Sequence, residues 1–195
     1  FNEALKAVTH QAKGPKIKRP SHIFLVVGES YSQPYFDPAF ADLHIADEGK
    51  KLMHDAHTAS INTTLSGGII SRPSIVGLML GIFDAGMELN EREPFWEGTL
   101  PTSLPIQLRK LGYETNYWYG GSLSHGNFNH FAPACGFNHS YSGTDICGPK
   151  APRSWVGVYD HIFLNKVAEM IQERSDDVPQ FHFVYTTSNH GPYKL

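Results

Sequence analysis

Apolar positions along the chain form short continuous runs alternating with stretches of helical period, and this order predicts strands that alternate with helices. His22-Ile-Phe-Leu-Val-Val-Gly28 is an uninterrupted apolar run of strand length ending at a glycine, the pattern of a strand buried on both faces of an α/β sheet. Residues 56–61 fit a second strand. Ser71 to Phe83 reads as a helix with Pro73 in its first turn, where a missing N–H is tolerated. Leu104 to Leu111 reads as a helix closed by Gly112, and Tyr113 to Tyr119 as an aromatic-rich strand after it. Asn127 to Ala134 is a short helix. Val158 to Arg174 is a longer one, with Ile162, Val167, Met170 and Ile171 on a helical period and Asp160 near its start, and Phe181 to Thr187 is the last strand. The alternation predicts a three-layer α/β/α fold around a mainly parallel sheet.

In such sheets chemistry gathers beyond the carboxyl ends of the strands. That rule selects Gly28-Glu-Ser-Tyr31, the loop up to Ser71, Tyr119-Gly-Gly-Ser122 and Ser188-Asn-His-Gly191. Glu29 directly follows the first strand, where its carboxylate can hold a hard cation through oxygen, cap the next turn or stay solvated. Ser71 and Ser74 lie three residues apart at a helix start. Their hydroxyls can face the free N–H groups and positive end of the helix, which favour a phosphoryl group, or serve as ordinary N-caps. Arg72 is an anion contact or a solvated surface cation.

Composition narrows the function. A chain of 195 residues, 41% of them apolar, can bury a core. Its formal charge of -3 leaves no basic stripe for nucleic acid. The one basic cluster, Lys13, Lys16, Lys18 and Arg19, is broken by Gly14, Pro15 and Pro20, so residues 1–21 read as a solvated linker belonging to something longer. No apolar run approaches membrane-spanning length. Cys135 and Cys147 are spaced closely enough to close a loop, so a disulfide and an oxidising compartment are expected, with two unpaired thiols as the alternative.

These motifs together resemble the alkaline-phosphatase-like superfamily, in particular its lipoteichoic acid synthase and phosphoglycerol transferase branch, with sulfatases and phosphoethanolamine transferases as cousins. The resemblance runs from His22 to Leu195. It is carried by Ile23-Phe-Leu-Val-Val-Gly-Glu-Ser30, Ser71-Arg-Pro-Ser74, Tyr119-Gly-Gly-Ser-Leu-Ser-His-Gly126, Gly136-Phe-Asn138, Trp155-Val-Gly-Val-Tyr-Asp160 and Thr187-Ser-Asn-His-Gly-Pro-Tyr193.

What the resemblance implies is a metal-dependent transferase. Glu29 matches an acidic metal ligand, and Ser71 matches the metal-activated nucleophile, a position where transferases usually carry Thr. A phospho-Ser71 intermediate would be resolved by an alcohol or water. His190 matches a substrate contact. His125 is a second candidate contact, with Ser74 and Arg72 beside them and His130 and His139 weaker. The cation would be Mn, Mg or Zn, the donor a membrane phospholipid head group, and the acceptor an envelope glycan or lipid. The protein would work outside the cytoplasm behind a membrane anchor.

Two departures matter. Sulfatases convert a Cys or Ser to formylglycine in a motif with Pro two residues on and Arg or Ala four residues on; Pro73 fits, but position 75 is Ile. That favours an unmodified serine. The family's Gly-Asp-His ligand motif has no match up to Leu195, and Asp160-His161 sits in a different context at a helix start. Residues 22–195 therefore match the N-terminal part of such a domain, incomplete at its C-terminus. Ester hydrolysis or a catalytically inactive anion-binding domain are the other readings.

Overall fold

The structure, a computed structural model, describes residues 18–61, 64–93, 96–97, 100–174 and 177–192. Among these, four strands form one sheet: β1 (His22–Val27), β2 (Glu114–Tyr119), β3 (His139–Ser142) and β4 (Gln180–Tyr185). Their order is β1-β4-β2-β3 and every pairing is parallel. All four carboxyl ends therefore share one edge. The helices are α1 (Asp47–Met53), α2 (Ser71–Leu80), α3 (Leu104–Lys110), α4 (Phe128–Ala134), α5 (Gly143–Ile146) and α6 (Asp160–Gln172).

Strand alternation divides the core in two. Tyr117, Tyr119, Phe181, Phe183 and Tyr185 face one side, where Ile75, Val76 and Met79 of α2 and Phe128 and Phe131 of α4 pack on them. Trp118 and Val184 face the other, against Phe163 and Val167 of α6. The result is the expected α/β/α layering.

Several expectations need correction. Residues 56–61 form no strand: they are almost wholly exposed and offer one large apolar side chain, Ile61, which is 80% accessible. The helix from Ser71 ends at Leu80 rather than Phe83, because Gly81 adopts a left-handed φ of 68°. β1 is buried on one face only. Among the described residues it lies at the sheet edge, and Phe24 and Val26 remain more than half exposed. The expected disulfide is absent: Cys135 packs in the cluster on one face of the sheet and Cys147 against the cluster on the other. Lys13 and Lys16 lie outside the described residues, as does most of the 1–21 segment. Arg19 is not simply solvated; its guanidinium donates to the Leu111 carbonyl and stacks over Tyr113. β3, a polar edge strand, was not anticipated.

One buried titratable group couples folding to pH. His182 is fully buried. Trp118 Nε1 donates to its Nδ1 at 3.2 Å, so the ring proton sits on Nε2, which donates to His22 Nδ1 at 3.2 Å. Burial, then His22, then Arg174 lower its pKa from 6.5 to about 4. Between these values the unfolded chain binds the proton and the folded chain does not, so stability is full above pH 6.5 and declines as pH falls towards 4. Urea midpoints across this range should drop more steeply for the wild type than for His182→Gln.

Candidate active site

The carboxyl edge of the sheet gathers the site. β1 exits through Gly28 into Glu29, whose backbone N–H donates to Thr186 Oγ1 at 3.1 Å just past β4. The register that pairs Val27 with Tyr185 brings the Tyr185 hydroxyl onto the same carboxylate. α2 starts beside them. Its N-cap position is Ile70, which makes no side-chain cap bond. The Ser71 hydroxyl, in the first helical turn, instead donates to Glu29 Oε2 at 2.8 Å. The capping alternative for Ser71 therefore falls away. Glu29 accepts three hydroxyls in all: Ser71 and Tyr185 on Oε2, and Ser30 on Oε1 at 3.0 Å. Burial, then Glu29, push the Tyr185 phenol far up, so it stays protonated and donates. The neighbouring Tyr119 phenol is raised to about 12, chiefly by burial.

Ser71 stands between two cavities. One is an open cleft of about 340 Å³ lined by Glu29, Ser30, Tyr31, Ile69, Ile70 and Leu78. The other is a recess of about 30 Å³, bounded by Ser71, Arg72, Tyr119, His125, Tyr185 and His190. Six sequence candidates thus line one cavity or the other: Glu29 and Ser74 the cleft, Arg72, His125 and His190 the recess, and Ser71 both. The Arg72 guanidinium is engaged by Glu91 at 2.6 Å and Glu88 at 3.2 Å, so much of its charge is already answered. Ser74 borders the larger cleft, but its hydroxyl is committed to Ser66, Gly68 and Ile70, where it organises the approach to α2. His130 stacks on Trp96, and His139 pairs with Glu114 at 2.8 Å, both outside the two cavities.

Two contributors were missed by sequence reasoning. Tyr185 looks like one more core aromatic in a strand, and only its register beside the residue before Gly28-Glu29 marks it. Asp160 begins α6, and its Oδ1 accepts the backbone N–H groups of Thr187 and Ser188 at 2.8 and 3.1 Å, while its own N–H donates to Ser188 Oγ at 2.7 Å. This clamp fixes the loop that carries His190. Asp160→Ala strands two N–H groups and should cost about 2 kcal/mol or more. Asp160→Asn keeps an acceptor and should cost less, as urea unfolding of the pair will read.

Among the described residues, no group of three or more His, Cys, Asp or Glu side chains could hold a metal ion. Glu29 and Ser71 supply hard oxygen donors of the kind Mg or Mn prefers, and they fit one side of a cation site.

The fold recurs in known structures. A protein of the alkaline phosphatase superfamily from Vibrio parahaemolyticus aligns over 93% of this chain with a TM-score of 0.74 at 23% identity. The lipoteichoic acid synthase LtaP from Listeria monocytogenes aligns over 62%, with a TM-score of 0.52 at 19% identity. The chain spans 43% and 29% of those two proteins. The family model described as sulfatase matches residues 21–195, nearly the whole chain, including both sides of the Ser71–Glu29 pair: the chain belongs to the sulfatase family.

Proposed function

We propose that this chain carries the nucleophile of a metal-dependent transferase that moves a phosphoglycerol- or phosphoethanolamine-type group from a membrane lipid to an envelope glycan or lipid. The single observation that carries the reading is Ser71, uncapped at the start of α2, with its hydroxyl bound to Glu29 at 2.8 Å and a histidine-lined recess on its other side. The fold it shares with the Listeria lipoteichoic acid synthase is consistent with such a transferase.

Glu29 orients the Ser71 hydroxyl and accepts its hydrogen bond, leaving the oxygen free to attack phosphorus. A Ser71 O–P bond forms, the P–O bond to the lipid alcohol breaks, and that alcohol departs with a proton. The positive end of α2 favours the phosphoryl oxygens beside Ser71. His125 and His190 line the same recess as Ser71 and would contact those oxygens or the departing group. An acceptor hydroxyl then attacks phosphorus and releases Ser71 with its proton restored. A divalent cation, held by Glu29, Ser71 and ligands beyond the described set, would lower the pKa of the Ser71 hydroxyl. The site would face the outside of the cytoplasmic membrane. Among the described residues no helix is long and apolar enough to cross a bilayer.

The experiment is mass spectrometry of the Ser71 peptide after incubation with Mn²⁺ and phosphatidylglycerol or phosphatidylethanolamine vesicles. A glycerophosphoryl or phosphoethanolamine adduct on Ser71 is expected. An aldehyde in place of the hydroxyl would move the protein to sulfate-ester hydrolysis. Adduct formed and released without an acceptor would make it a phosphoester hydrolase, and a serine that never changes would make it a binding domain.

A further inference from the structure

We propose that Tyr185 is a positioning residue of this site, holding the Glu29 carboxylate in the orientation that receives Ser71; the inference rests on the transferase reading above. Tyr185 is buried at the end of β4, and its hydroxyl shares Glu29 Oε2 with the Ser71 hydroxyl. A glutamate side chain has three rotatable bonds, and one that follows a strand into a loop has no packing of its own to fix them. Here the fixation comes from the neighbouring strand. The β1–β4 register sets Tyr185 opposite Val27, two residues before Glu29. Tyr119 of β2 lies against the Tyr185 ring, with centroids 5.0 Å apart and planes 10° from parallel. Phe128 of α4 meets Tyr119 edge-on at 5.5 Å. A continuous aromatic stack thus runs from α4 through two strands to the carboxylate, and its last atom is a hydroxyl. Ser30 holds the other carboxylate oxygen at 3.0 Å but is exposed, so it constrains less.

Partners of this kind, one shell out from a metal ligand, typically change affinity or activity by about 10–100-fold when removed. Tyr185→Phe removes the hydroxyl and keeps the ring and its stack, so the fold should persist with an unchanged melting temperature. In the enzyme assayed with phosphatidylglycerol vesicles, kcat should fall about 10–100-fold with KM unchanged, and the Mn²⁺ dissociation constant by calorimetry should rise about 10-fold or more. In a Glu29→Gln background the same substitution should add nothing, which a merely structural role for the phenol would not produce. Unchanged kcat and Mn²⁺ affinity in Tyr185→Phe, or full multiplication of its effect with that of Glu29→Gln, overturns the inference. The Mn²⁺ titration needs no donor lipid, so it judges Tyr185 even with the wrong donor. Turnover that survives Ser71→Ala sinks the transferase reading instead. Loss of turnover in Ser71→Ala beside a neutral Tyr185→Phe sinks only the inference about Tyr185.

Discussion

Under the proposed transfer, Ser71→Ala is expected to lower turnover of the lipid donor by about 10³-fold or more, because a covalent route cannot run without its nucleophile. The substitution is mild for the fold. Ser71 is half-buried, supplies no cap, and stands in a helix, where alanine is the most favourable residue. The melting temperature should therefore stay close to the wild-type value while kcat collapses. Donor lipid should still enter the cleft, since Tyr31, Ile69, Ile70 and Leu78 line it independently of Ser71. Measuring donor turnover and vesicle binding on the same preparation separates these outcomes. Retained turnover would remove Ser71 from the chemistry.

Phe183→Ala should be the most destabilising change, by about 3–5 kcal/mol. Phe183 is fully buried in the central strand β4, stacked on Tyr117 at 5.0 Å and tilted against Phe137 at 6.2 Å. Strands β1 and β2 flank it on both sides, so the space it leaves cannot collapse by moving an edge. A loss of that size is a large part of the stability of an ordinary domain. Chemical denaturation should show the midpoint falling sharply, whereas Phe24→Ala, which loses a half-exposed ring stacked on His182 at 4.8 Å, should move it far less.

Sequence patterns revealed the strands that are continuous in apolar or aromatic residues and the helices that carry a clear period. β1, β2 and β4 stand out because each offers a run of large side chains, and α6 because Ile162, Val167, Met170 and Ile171 recur on one face. β3 did not, since His139-Ser-Tyr-Ser142 is polar and lies at an edge, where packing demands little of its side chains. That β1 is an edge strand was equally hidden, because an apolar run looks the same whether one face is covered or two. Ser71 and Glu29 were legible through their motifs. The parts of the site contributed across the sheet were not: Tyr185 depends on strand register, Asp160 on a helix reaching under another strand's exit, and the pairing of Arg72 with Glu88 and Glu91 on a loop closing over α2.

The place of β1 beside β4 has a consequence in time. Glu29 and Tyr185 are 156 residues apart in the chain, and among the described residues β1 pairs with β4 alone. β1 therefore waits for β4, made much later in synthesis, before this pairing can form, a distant closure that slows folding. During that wait its backbone and the Phe24 and Val26 side chains are available to any other extended segment, which exposes nascent β1 to wrong pairing.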